Sequence, residues 1–156
     1  VLSRMEARRV LRTAVTYGAA LGACGRGYRW EEALDLLRAM RDEGPLHNVR
    51  VDTPAHAATV TACARAVVWR QACALVGEGA AADWGLRGKI AAAAYTAAIT
   101  ACDRAGLWEQ SVALLARMPA ARVSPTTNAF NSALSACGRS SAWEGAWALW
   151  RGMAHA

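Results

Sequence analysis

Apolar side chains return along this chain at helical spacing. In the stretch Ala94–Asp103, Tyr95, Ala98, Ile99 and Cys102 fall at i, i+3, i+4 and i+7, one face of a 3.6-residue repeat. The same template fits Tyr17, Ala20, Leu21 and Cys24, then His56, Thr59, Val60 and Cys63, then Phe130, Ala133, Leu134 and Cys137. A second stripe follows each of these after a short gap. Trp30, Ala33, Leu34, Leu37 and Met40 form one; Trp108, Ser111, Val112, Leu115 and Met118 form another; Trp143, Ala146, Trp147, Trp150 and Met153 form a third. Each unit therefore predicts two amphipathic helices joined by a turn near Gly27, Val67, Gly106 or Ser141. Runs with period-two alternation are missing, so the expectation is all-α. The prolines Pro45, Pro54, Pro119 and Pro125 fall outside the strongly periodic stretches, as punctuation between helices should.

The stripes repeat in register. Cys24, Cys63, Cys102 and Cys137 are spaced by 39, 39 and 35 residues, and Trp30, Trp69, Trp108 and Trp143 keep that spacing six residues later. An aromatic ring lies seven residues before each Cys, at Tyr17, His56, Tyr95 and Phe130. An arginine lies two residues after it, at Arg26, Arg65, Arg104 and Arg139. Neither helix of a unit can bury its stripe alone, so successive units must stack. Leu2-Ser3-Arg4-Met5 matches Leu115-Ala116-Arg117-Met118, which makes residues 1–12 the tail of a preceding repeat. The divisions that follow are 13–52, 53–91, 92–126 and an incomplete 127–156. The chain thus reads as a window on a longer array. The surplus residues of the first two units sit after their second helices, around 43–50 and 80–89, where loop insertions cost little closure entropy. Gly79 stands where other units have the terminal Met and should weaken that helix end.

A unit reading aromatic-x-x-Ala-Leu/Ile-x-Ala-Cys-x-Arg-x-x-x-Trp-Glu-x-Ala/Val-x-x-Leu-x-x-Met resembles the pentatricopeptide repeat. Ala94–Pro125, with its Val123-Ser124-Pro125 linker, is the segment most like it. The resemblance covers essentially the whole chain and implies a right-handed α-solenoid of tandem helix-turn-helix repeats. It also implies an organellar protein, mitochondrial or plastid, encoded in the nucleus, whose targeting segment lies outside this stretch. Proteins of this family typically bind single-stranded RNA, one nucleotide per repeat, in transcript processing, stability, translation or editing. By resemblance, the base-reading positions are the residue after the first-helix aromatic and the last residue of the repeat. Here the first positions are Gly18, Ala57, Thr96 and Asn131, and the last are Asp52, Ala91 and Thr126. Gly18 and Ala57 offer no side-chain hydrogen bond, and Ala91 adds none. Only Asn131 has the chemistry of a usual reader.

Charge adds to this picture. The chain carries a net charge of +6, with Lys89 its only lysine, which suits a polyanion, an acidic protein or a membrane surface. The resemblance places Arg26, Arg65, Arg104 and Arg139 along RNA phosphates; each also ends a first helix, where it would complement the dipole. The weak reader pairs and the apolar Trp147 and Trp150 leave a second reading open. In it the solenoid is a protein-binding scaffold among the subunits of a large organellar complex, a ribosome or a photosynthetic or respiratory assembly.

Other chemistry finds little footing. Four of the five cysteines share one helical column and none has C-x-x-C spacing, so no metal site and no disulfide is expected. Cys73, on a second-helix stripe, reads as the same kind of small buried apolar group. The tryptophan column reads as core. Nucleophile, acid–base and phosphate-loop arrangements are missing, and the expectation is a non-enzyme without a cofactor. The longest apolar run, Ile90–Ile99, is too short and alanine-rich to span a bilayer.

Overall fold

The computed structural model describes residues 14–47, 53–81 and 88–153. They form eight helices: α1 (Ala14–Arg26), α2 (Trp30–His47), α3 (Thr53–Arg65), α4 (Trp69–Ala81), α5 (Gly88–Arg104), α6 (Trp108–Ala120), α7 (Thr127–Arg139) and α8 (Trp143–Met153). No strand occurs among the described residues. The helices pair as four hairpins, α1–α2, α3–α4, α5–α6 and α7–α8. The tail expected at residues 1–12 lies outside the described residues.

One local device makes all four hairpins. The carbonyl of each column cysteine accepts a hydrogen bond from the backbone N–H five residues on: Arg29 to Cys24 at 3.0 Å, and Val68 to Cys63, Leu107 to Cys102 and Ala142 to Cys137 at 2.9 Å. The residue before each of these donors is left-handed: Tyr28 at φ 58°, Val67 at 60°, Gly106 at 72° and Ser141 at 54°. This is the Schellman end of a helix, which satisfies the last carbonyls and reverses the chain. In the first unit the left-handed position falls on Tyr28 and not on Gly27. The second unit puts a β-branched residue there, at a cost of about 1–2 kcal/mol. Val67 is 40% exposed, so it returns little through packing. Val67→Gly is accordingly expected to raise unfolding stability by about 1 kcal/mol, even after glycine's entropic cost. Urea melts read this directly, and a destabilised Val67→Gly would contradict it.

The same motif ends α6. Val123 N–H reaches Met118 O and Arg122 N–H reaches Pro119 O, both at 2.9 Å, with Arg122 at φ 56°. Met118 and Val123 are both buried, the hydrophobic contact that accompanies this motif. Thr126 then caps α7: its backbone is extended and its hydroxyl accepts from Ala129 N–H at 3.2 Å.

The extra residues of the longer units are partly helix. α2 continues through Pro45 to His47, α4 continues past Gly79 to Ala81, and α5 starts at Gly88, seven residues before Tyr95. By contrast α7 starts three residues before Phe130. Ala91 is therefore inside α5 and fully buried, not at a helix entrance. Pro45 and Pro119 are inside helices, each in the last turn, where each removes one i→i−4 bond just before its helix ends.

First helices pack on one another in a continuous row, α1 on α3 on α5 on α7, and each second helix packs on its own partner. Second helices meet one another much less, the clearest case being α6 with α8. Alanines explain the close inner row: Ala62, Ala98, Ala101, Ala133 and Ala136 are all fully buried and let the backbones approach. The large stripe residues Tyr17, Leu21, Leu37, Met40, Tyr95, Ile99 and Met118 fill the space between the two layers. Burying each such aliphatic side chain contributes about 1.5–3 kcal/mol. Close first helices and spread second helices are the geometry of a curved stack with the first helices inside.

Candidate nucleic-acid interface

Three first-helix segments frame a groove of about 560 Å³. Its apolar floor comes from Ala64 on α3 and Ala92, Ala93 and Ala97 on α5. Hydroxyls rise from Thr61, Thr96 and Thr100, with Thr126 and Asn128 at the entrance of α7. Arg65 and Arg104 border it at the ends of α3 and α5.

Hydroxyls line this face because threonine on a helix can return its proton to the preceding turn. Thr61 donates to Ala57 O at 2.8 Å, Thr96 to Ala92 O at 2.7 Å and Thr100 to Thr96 O at 2.8 Å. Their lone pairs are left facing outward. The third hairpin then meets the start of the fourth hydroxyl to hydroxyl: Thr96 lies 3.3 Å from Thr126, and Thr100 lies 3.2 Å from Ser132.

The sequence-based site residues divide sharply. Thr96 and Thr126, the paired positions of the third unit, are in contact and both line the groove. Asn131 is exposed on α7, and Gly18 is half-buried with open space where a Cβ would sit. Ala57 and Ala91 are buried, so the second unit's pair presents nothing to the groove. Asp52 lies outside the described residues. The groove residues that the sequence did not single out are Thr61, Thr100 and Asn128. Thr61 and Thr100 fall at equivalent places of their units, five residues after His56 and Tyr95, and that periodicity was the available signal.

All four column arginines close a first helix and are exposed, yet they are not equivalent. Arg139 is locked by Asp103 of the preceding unit, Nε to Oδ1 at 3.1 Å and Nη2 to Oδ2 at 2.6 Å, a bidentate pair with a nearly buried carboxylate. Arg65 reaches the carbonyl of Gly25 at the end of α1, at a long 3.4 Å. Arg65 thus both ends its helix and borders the groove, whereas Arg139 is committed to Asp103.

At the last hairpin the surface changes character. Trp147 and Trp150 are more than half exposed and stack with ring centroids 5.5 Å apart. With Leu134, Trp143 and Ala146 they line an almost wholly apolar groove of about 640 Å³. The tryptophan column is therefore core in part only. Trp30 and Trp69 pack against the interior, and Trp108 lies against Gly145 of α8, whereas Trp143 is 72% exposed.

The cysteine expectation holds for Cys63, Cys102 and Cys137, which are buried; burial pushes the Cys63 thiol up to about 11. Cys24 and Cys73 are only half-buried, and the Cys73 sulfur lies 3.5 Å from Cys102. Column cysteines are a repeat apart, but Cys73 is on the second helix of one unit, facing the first helix of the next. No group of three or more metal-ligating side chains occurs among the described residues. None of the described helices is long and apolar enough to cross a membrane.

A stack of four helical hairpins with a hydroxyl-lined, arginine-bordered inner groove defines a helical-repeat solenoid. The family model "PPR repeat" matches residues 15–45 and 129–155, and the model "pentatricopeptide repeat domain" matches residues 89–140. Together they take in more than half of the chain, which belongs to the pentatricopeptide repeat family. Members of this family are typically organellar, RNA-binding and generally without enzymatic activity. No curated protein matches the chain at a significant level.

Proposed function

We propose that this array binds single-stranded RNA along the first-helix groove, within an organelle, in transcript processing, stability or translation. The observation that carries the reading is the Thr96–Thr126 pair, two base-reading positions in contact inside a groove bordered by Arg65 and Arg104. Arginines there would take phosphates, while a base edge meets the hydroxyls.

The hydrogen-bond count says how selective such reading is. Thr96 gives its proton to Ala92 O, and Thr126 takes one from Ala129 N–H. The remaining hydroxyl proton, that of Thr126, is taken up by the Thr96–Thr126 contact, so the pair offers a base its lone pairs. A pair so equipped accepts more than it donates and tolerates more than one base. With Ala57 and Ala91 buried, the second unit adds no base contact. Asn131 is the one remaining reader with full amide chemistry, and Gly18 contributes only space. The array therefore holds the backbone firmly and reads sequence weakly.

Fluorescence anisotropy with a labelled 12-nucleotide RNA tests this. Binding should weaken with salt, the log–log slope steepening by roughly 0.7 per phosphate neutralised on a single strand. Two or three engaged arginines give a slope of about −1.5 to −2. A flat salt response, or no binding at low salt, would overturn the reading.

The stacked Trp147 and Trp150 support a second role, a protein-binding scaffold within a large organellar complex. Exposed stacked indoles are the residues that anchor protein interfaces. In that case the protein is retained in an RNase-resistant complex, and Trp147→Ala with Trp150→Ala releases it; a complex dissolved by RNase counts against it.

A further inference from the structure

Cys73 on α4 and Cys102 on α5 bring two sulfurs within 3.5 Å of each other across the boundary between the second and third hairpins. Their surroundings differ. Cys102 is fully buried, whereas Cys73 is half-buried and reachable from solvent. Gly77 lies one turn beyond Cys73 on α4, and the Arg117 guanidinium of α6 stands over it, Nη2 3.8 Å from where a Cβ would be. The Arg117 charge acts on Cys73, and a nearby cation is the setting in which a thiolate is stabilised.

We propose that Cys73 and Cys102 are a reversible dithiol–disulfide pair, oxidised by low-molecular-weight disulfides, that ties the second hairpin to the third. The sulfurs need to close by about 1.5 Å to reach a bond length near 2 Å. The polarity of the pair sets the order of events. The hydrogen bond between the two sulfurs, together with Arg117, holds the Cys73 thiol below its ordinary value against the effect of burial. The same hydrogen bond and burial push Cys102 up. Cys73 attacks and Cys102 resolves.

In the first step the Cys73 thiolate attacks one sulfur of a disulfide RSSR. This forms Cys73–S–S–R and expels RS⁻, which takes up the proton that Cys73 lost. Next the Cys102 sulfur attacks the Cys73 sulfur, expelling a second RS⁻ that takes the Cys102 proton. The protein dithiol loses two electrons and RSSR becomes two RSH. Cys63, raised by burial, has no such partner and stays a thiol.

The closed bond would tether α4 to α5, and α5 carries the groove residues Ala92, Thr96 and Thr100. Incubating the purified chain with oxidised and reduced glutathione, trapping free thiols by alkylation and mapping peptides tests the pair. The expected result is one Cys73–Cys102 linkage, free thiols falling from five to three, and reversal by dithiothreitol. A melting temperature higher by about 5–10 °C in the oxidised form should accompany it. Cys102→Ala should halt at a mixed disulfide on Cys73, and Cys73→Ser should leave Cys102 a free thiol. Five persistent thiols, a wild-type chain that stops at the mixed disulfide, or linkages among other cysteines would each overturn the proposal.

Discussion

Replacing Arg65 and Arg104 together by glutamate is expected to weaken single-stranded RNA binding about 100-fold at low salt. These two arginines border the groove from successive hairpins. A hydrogen bond to a charged group contributes about 1.5–3 kcal/mol, so losing two such contacts costs at least about 3 kcal/mol, or two decades of affinity. The salt slope should flatten by about 1.4, since two phosphates are no longer neutralised. Folding should be little affected, because both side chains are exposed and the one bond that Arg65 makes, to Gly25 O, is long. Arg139 behaves differently. Its guanidinium is held by Asp103, so Arg139→Glu sets two carboxylates together and destabilises the fold more than it weakens RNA. Arg151→Glu, on the second helix α8, serves as the charge-matched control. Affinity unchanged by the double reversal, or reduced equally by Arg151→Glu, would remove the groove from the proposed function.

What the sequence made legible was what repeats. The Cys, Trp, aromatic and Arg columns fixed the four hairpins and the two faces of each helix, because burial imposes a side-chain type at each equivalent position. The turn at Tyr28 was less legible. The repeat places a turn near Gly27, but the Schellman hydrogen bond from Arg29 to Cys24 sets the left-handed position at Tyr28 by counting from the cysteine. The surplus around 43–50 and 80–89 reads as loop insertion from its spacing, whereas α2 runs on through Pro45 and α5 begins at Gly88. That extra helical turn of α5 carries Ala91 into the interior. The groove was legible by half. The family resemblance pointed to Thr96 and Thr126, but the columns could not show that Asp103 consumes Arg139, because only the third unit has an acid beside its cysteine. Nor could a column analysis find the Cys73–Cys102 approach, which joins two different columns of neighbouring units.

Lowering the pH from about 6.5 to 4 is expected to destabilise the protein by up to about 3 kcal/mol through His56 alone. Where other hairpins place a tyrosine or phenylalanine, the second buries this imidazole, only 1% exposed. Its pKa falls from 6.5 to about 4, first through burial and then through the charge of Arg41 on α2; Glu78 on α4 acts in the opposite direction. Arg41 and Glu78 are themselves paired at 2.8 Å, so their fields largely offset at the ring and burial dominates. Below pH 6.5 the unfolded chain takes up a proton that the folded chain refuses, so the unfolded state binds more protons and stability falls as pH falls. Above pH 6.5 the imidazole is neutral in both states and the contribution is constant. Each pKa unit is worth about 1.4 kcal/mol, which sets the ceiling of about 3 kcal/mol. Carboxylates also titrate near pH 4, so the informative quantity is a difference between two proteins. His56→Phe places in this hairpin the ring that the fourth hairpin carries at Phe130. Its urea-melt stability should run parallel to wild type above pH 7 and lose less on acidification, the two curves diverging steadily between pH 6.5 and 4. Curves that stay parallel through that window would mean that the imidazole ionises as readily inside the fold as in water.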